Sequence, residues 1–222
     1  MIIIRLKSYL FKYIVLSFIF LTFIQSAYSV QSGQIQYVIP IDYSMIDETE
    51  LKNEAESLYQ DYINATDEIQ KRNLLDKMLS AYSVLGNVDE GNPLYFTRLG
   101  IVFDKLGKDR YAKSNFCRAS NLVPNYPYSY YSYANFFFER GKYRLALREY
   151  MRAYNAGYQN NYDTLYQIGV IYEKFGDFAN ANSYYKKALS LKYTEELNIK
   201  IQKLEDILKV NPLYNDTKGK IR

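Results

Sequence analysis

Small residues and large rings keep their places through three successive copies of one pattern. Phe96, Leu99, Gly100, Phe103, Gly107, Ala112, Phe116 and Ala119 are followed 34 residues on by Tyr130, Tyr133, Ala134, Phe137, Gly141, Ala146, Tyr150 and Ala153. A further 35 residues on stand Leu165, Ile168, Gly169, Tyr172, Gly176, Ala181, Tyr185 and Ala188, the extra residue falling in the Asn-rich loop around NAGYQNN. A period of this length is one supersecondary unit that cannot bury its apolar face alone, so the copies must stack.

Each slot has a physical reason. Gly100, Ala134 and Gly169 leave room on a first helix, and Phe116, Tyr150 and Tyr185 fill that room from a second. Gly107, Gly141 and Gly176 fall where the first helix must end on a positive φ. Ala119, Ala153 and Ala188 are small where the next copy packs. Pro124 marks the end of one second helix, and Tyr158 and Tyr193 take that place later.

Over residues 93 to 193 this pattern resembles the tetratricopeptide repeat family. The resemblance implies an all-α, right-handed superhelical solenoid of antiparallel helix pairs, with the first helices lining a concave groove that binds peptides or protein segments. The expected repeats cover residues 93–126, 127–161 and 162–194. Residues 47–92 read as a divergent helical pair or N-terminal cap, with Leu51, Ala55 and Leu58 on one helix and Leu75, Met78, Leu79 and Tyr82 on the next. Leu197, Ile201, Leu204 and Leu208 make one stripe on a final capping helix, 195–211, before a basic tail at 212–222.

The first 29 residues read differently. Arg5, Lys7 and Lys12 precede the apolar run from Tyr13 to Ile24, and Ala27 and Ser29 have the spacing of a signal-peptidase site. The pattern predicts a secretory signal cleaved after Ser29, with an uncleaved signal anchor as the alternative. Residues 30–46 alternate apolar and polar side chains around Pro40 and read as an extended linker. The expected location is extracytoplasmic, periplasmic or secreted.

The chain contains no histidine, which removes the common catalytic triads, His-ligated zinc sites and the usual general base near neutral pH. No phosphate-binding glycine loop, cysteine pair or metal-ligand cluster stands in the sequence, so no cofactor is expected. The one cysteine, Cys117, cannot form an internal disulfide; it is expected as a small buried hydrophobe, with an intermolecular thiol as the alternative.

With 26 tyrosines and no tryptophan, the chain is rich in rings with a polar tip. The three phenylalanines of FFFERG sweep about 200° of a helix, wider than one buried stripe. Phe137 occupies a core slot, Phe136 can reach a neighbouring repeat, and Phe138 falls where the family lines its groove. By the same resemblance the groove receives Leu94, Thr97, Ile101, Asp104 and Lys105, then Tyr128, Tyr131, Asn135, Phe138 and Glu139, then Asp163, Tyr166, Val170, Glu173 and Lys174. Ile101, Tyr128, Tyr131, Asn135, Phe138, Tyr166 and Val170 are the candidate partner-binding residues. The family's carboxylate-reading mode is not expected, because Thr97 stands where a lysine belongs.

Charge is unevenly placed: residues 30 to 91 hold 4 basic and 12 acidic side chains, and residues 92 to 222 hold 21 and 12. Such polarity suits an acidic partner, an anionic membrane surface or head-to-tail self-association. The expectation is therefore an exported, non-catalytic scaffold that holds a protein or peptide partner, without nucleic acid, and with membrane contact only through an uncleaved N-terminus. The alternative is a membrane-tethered structural subunit; an enzyme working through carboxylates is the remaining reading.

Overall fold

A computed structural model of the chain describes residues 46–210. The expected signal, nearly all of the linker and the basic tail lie outside the described residues. Among the described residues there are nine α-helices, one short 3-10 turn and no strand. They fall into two units that meet in sequence at Glu90 and Gly91.

The first unit holds α1 (Glu48–Asn64) and α2 (Glu68–Val88). Each begins on an aspartate whose side chain takes an otherwise unmet backbone N–H: Asp47 accepts from Glu50 and Asp67 from Gln70. Ala55 and Met78 are fully buried between them. Tyr82 is buried as well, and its hydroxyl donates to the Ala55 carbonyl at 3.1 Å and to Glu56 Oε1 at 2.7 Å. A buried phenol left without such partners would lose the benefit of its ring.

The second unit is a run of helix pairs: α3 (Pro93–Lys105) with α4 (Asp109–Leu122), α5 (Pro127–Glu139) with α6 (Tyr143–Asn155), and α7 (Tyr162–Lys174) with α8 (Phe178–Leu191). Pro93 and Pro127 open α3 and α5 at the first turn, where the missing N–H costs nothing. Gly107, Gly141 and Gly176 reverse the chain inside each pair at φ 71°, 66° and 73°. At the first of these turns the Gly107 and Lys108 amides close back on the Asp104 and Phe103 carbonyls.

The close approach read from the repeat is present. A methyl group on Gly100 would stand 2.6 Å from Phe116, and one on Gly169 would stand 2.6 Å from Tyr185. Phe116, Tyr150 and Tyr185 are almost wholly buried, as are the alanines at 119, 153 and 188. Phe136 does reach the preceding pair, its ring 5.8 Å from that of Phe116, while Phe137 packs 4.4 Å from Tyr133. The last helix, α9 (Glu195–Val210), lays Leu197, Ile201 and Leu204 against the cluster of Leu165, Ala181, Tyr185 and Ala188.

Cys117 departs from expectation: it is exposed on α4. The buried stripe of that helix runs through Ala112, Phe116, Ala119 and Ser120, so the next position after Phe116 turns outward. Its Sγ lies 3.6 Å from the Tyr133 hydroxyl.

Candidate binding face

The residues expected to meet a partner lie along the first helices α3, α5 and α7, and the structure gathers four of them, Tyr131, Asn135, Tyr166 and Val170, around second-helix tyrosines. Tyr150 reaches through from α6 and donates to Asn135 Oδ1 at 2.5 Å. Tyr131 packs against the same ring, centroids 5.9 Å apart, and against Tyr158 at 6.0 Å. Asn135 and Tyr131 thus share one buried phenol, whose ionisation burial pushes upward.

One repeat later the arrangement recurs with a charge in it. Tyr185 donates to Glu173 Oε2 at 2.6 Å, and Lys200 of α9 closes on the same oxygen at 2.9 Å. Tyr166 lies 5.6 Å from the Tyr185 ring and stacks on Tyr162 at 6.0 Å. Val170 packs beside them. Burial, with the acceptor carboxylate second, raises the Tyr185 phenol far above its ordinary range.

Phe138 and Ile101 sit half-buried at the edge of the middle core cluster. The Phe138 ring meets Tyr143 edge-on at 5.5 Å, and the Lys174 ammonium rests 4.9 Å above that same Tyr143. Tyr128 stands apart from these groups. It receives Arg98, whose guanidinium lies 5.1 Å from its ring and hydrogen-bonds its hydroxyl, and it meets Tyr126 edge-on.

Thr97 corrects the expected lining. It is fully buried, its hydroxyl donating to the Pro93 carbonyl at 2.7 Å and sharing a 2.8 Å hydrogen bond with Ser129. Two hydroxyls satisfying one another let α3 and α5 approach closely, and that contact removes Thr97 from the face.

Charges alternate along one slot of successive repeats. Lys105 bonds both oxygens of Glu139 at 3.0 Å, and the third member is Lys174 over its ring. Asp104 pairs with Arg140 at 2.7 Å, yet burial outweighs that cation and raises its carboxyl above the ordinary value. Asp163 is exposed and joins no ion pair among the described residues.

Sequence reasoning missed what the last helix adds. Thr194, Glu196, Leu197 and Lys200 close a cleft of about 110 Å³ whose other wall is Tyr162 and Tyr166. The apolar stripe of α9 showed its buried side; the neighbours of that stripe gave no sign of what they would face. Among the described residues no group of His, Cys, Asp and Glu could hold a metal.

No family model matches this chain, and no curated protein does. Solved structures do. That of pilF from Pseudomonas aeruginosa is 16% identical, covering 77% of this chain and 76% of its own, with a TM-score of 0.59. The MamA RS-1 ArsTM double mutant is 17% identical, covering 76% of this chain and all of its own, with a TM-score of 0.54. MamA 41-end from Desulfovibrio magneticus RS-1 is 17% identical over 74% of this chain and 98% of its own, also at 0.54. At these identities the likeness is one of fold: an all-α stack of antiparallel helix pairs of the tetratricopeptide kind.

Proposed function

We propose that this chain is an exported, non-catalytic interaction scaffold that holds an extended or helical segment of a partner protein against the tyrosine-lined face of α3, α5, α7 and α9. The observation that carries the reading is the cleft between Tyr162, Tyr166, Leu197 and Lys200. At about 110 Å³ it is well below the roughly 300–1,000 Å³ of small-molecule sites, and suits one side chain of a longer segment. Its walls combine apolar area with polar groups: two phenol rings and a leucine beside Lys200, Glu196 and Thr194.

The remaining half-buried rings, Tyr131 and Phe138, extend the same face and supply further anchors, each worth about 2 kcal/mol or more on truncation where a partner covers it. Ion pairs that are already formed, Lys105 with Glu139 and Lys200 with Glu173, fix these side chains before a partner arrives and lower the ordering cost. Export rests on the charged and apolar pattern of residues 1–29 and on the signal-peptidase spacing of Ala27 and Ser29.

Affinity capture from an extracytoplasmic extract tests the reading, with the full chain as bait beside a Phe138→Ser, Tyr166→Ser variant of unchanged helical content. A partner held by the first bait and released by the second supports binding on this face. The same partner on both baits overturns it. Sequencing the purified protein's N-terminus tests export separately: Val30 supports cleavage, and Met1 opposes it.

A further inference from the structure

The two units carry opposite net charge, and each exposes large apolar side chains. Residues 46 to 90 hold 11 acidic and 4 basic side chains, whereas residues 91 to 210 hold 18 basic and 11 acidic. At the turn between α1 and α2, Ile63 is 55% and Ile69 74% exposed, and Asp61, Asp67 and Glu68 are exposed beside them, Glu68 with one oxygen on Lys71 at 2.8 Å. Two isoleucines rimmed by carboxylates form the tip of that hairpin.

The second unit presents the opposite. Tyr111, 59% exposed, is stacked on Phe103 at 5.3 Å and follows Lys108 and Arg110 at the start of α4. Lys142 and Arg144 hold the same places at the start of α6. The two helix starts are neighbours, because Arg140 bonds both oxygens of Asp109, at 2.5 and 3.0 Å. Asp109 is thereby spent on Arg140, and neither Arg110 nor Arg144 has an ion pair among the described residues. Four exposed cations thus stand at two adjoining helix starts, where they oppose the positive end of the helix dipole.

We propose that this Tyr111-centred basic patch receives the acidic α1–α2 tip of a second copy of the chain. Both surfaces have an apolar middle and a charged rim, the rims are of opposite sign, and each unit's net charge of about seven is matched by the other's. The contact joins unlike surfaces, so it is heterologous and propagates head to tail unless the rotation closes a ring. Charge fixes register and speeds encounter, and salt screens it beyond about 8 Å at physiological ionic strength. This inference uses neither the cleft nor its partner and stands apart from the binding reading above.

Sedimentation velocity of the purified full chain, over a dilution series at low and at high salt, is the test. The expected result is assembly that grows with concentration at low salt and dissolves at high salt. Arg110→Glu with Arg144→Glu, and separately Asp61→Lys with Glu68→Lys, should each weaken assembly by roughly tenfold or more, with unchanged thermal unfolding. Mixing the two reversed chains should restore it, since each then meets a complementary surface. A monomer throughout at low salt, assembly indifferent to either reversal, or a mixture that stays apart would each overturn the proposal. So would a monomer that binds anionic vesicles through Arg110 and Arg144, which would assign the patch to a membrane.

Discussion

The Tyr185 hydroxyl lies 2.6 Å from Glu173 Oε2, so the ring that fills the space between α7 and α8 also holds a carboxylate in place on the binding face. Lys200 completes the group from α9. One buried side chain therefore couples the core of the last repeat to the electrostatics of its surface.

Removing only that hydroxyl separates the two roles. Tyr185→Phe should lower stability by about 1 kcal/mol, the net worth of one hydrogen bond to a charged acceptor that water can partly replace. Tyr185→Ala should cost about 3–5 kcal/mol, because the ring fills a close-packed space. Urea unfolding followed by circular dichroism distinguishes the pair; equal losses would mean that the hydroxyl, and not the ring, dominates.

Gly100→Ala places a methyl 2.6 Å from the ring of Phe116, which is buried, so one of the two must shift. The expected cost is about 1–3 kcal/mol from overpacking. Shortening the opposing ring should recover part of it, so Gly100→Ala with Phe116→Leu should lose less than the two single changes added together. Strict additivity in denaturant unfolding would contradict the contact.

Alkali should unfold this protein in a defined window. Burial raises the phenols of Tyr133, Tyr150, Tyr184 and Tyr185, Tyr184 to about 12 and the others further. A folded-state value above the unfolded one means that the neutral form is favoured by folding. The stabilisation is complete below pH 10, the ordinary tyrosine value, and is lost as pH rises through the folded values. Phenolate absorbance should therefore rise in two stages, exposed tyrosines first and the buried group together with loss of helix. A single stage near the ordinary value with helices intact would refute it.

Cys117 should react with a maleimide in the folded protein at a rate close to that in the unfolded chain, since its side chain is exposed. Cys117→Ser should leave thermal unfolding nearly unchanged, as surface substitutions usually shift stability by no more than about 0.5 kcal/mol. Slow labelling that needs denaturant would show a protected thiol.

The repeat determined which residues are helical partners, because a side chain's place on a helix follows from its count along the chain. Gly100 facing Phe116 and Gly169 facing Tyr185 were legible for that reason: size complementarity is written in one dimension when the same pair recurs. Composition likewise disfavoured His-based chemistry outright.

Contacts between unlike groups on successive repeats were decided only in three dimensions. Thr97 looks like a lining residue by count, and its hydroxyl is buried because Ser129 stands 2.8 Å away on another helix. Cys117 has the composition of a core residue and points outward because its neighbour Phe116 takes the interior direction. Arg140 reaches Asp109, 31 residues back, a pairing that no count along the chain announces. Periodicity fixes which way a side chain points from its own helix; the partner it meets depends on how closely the next helix stacks, and that distance is set by packing.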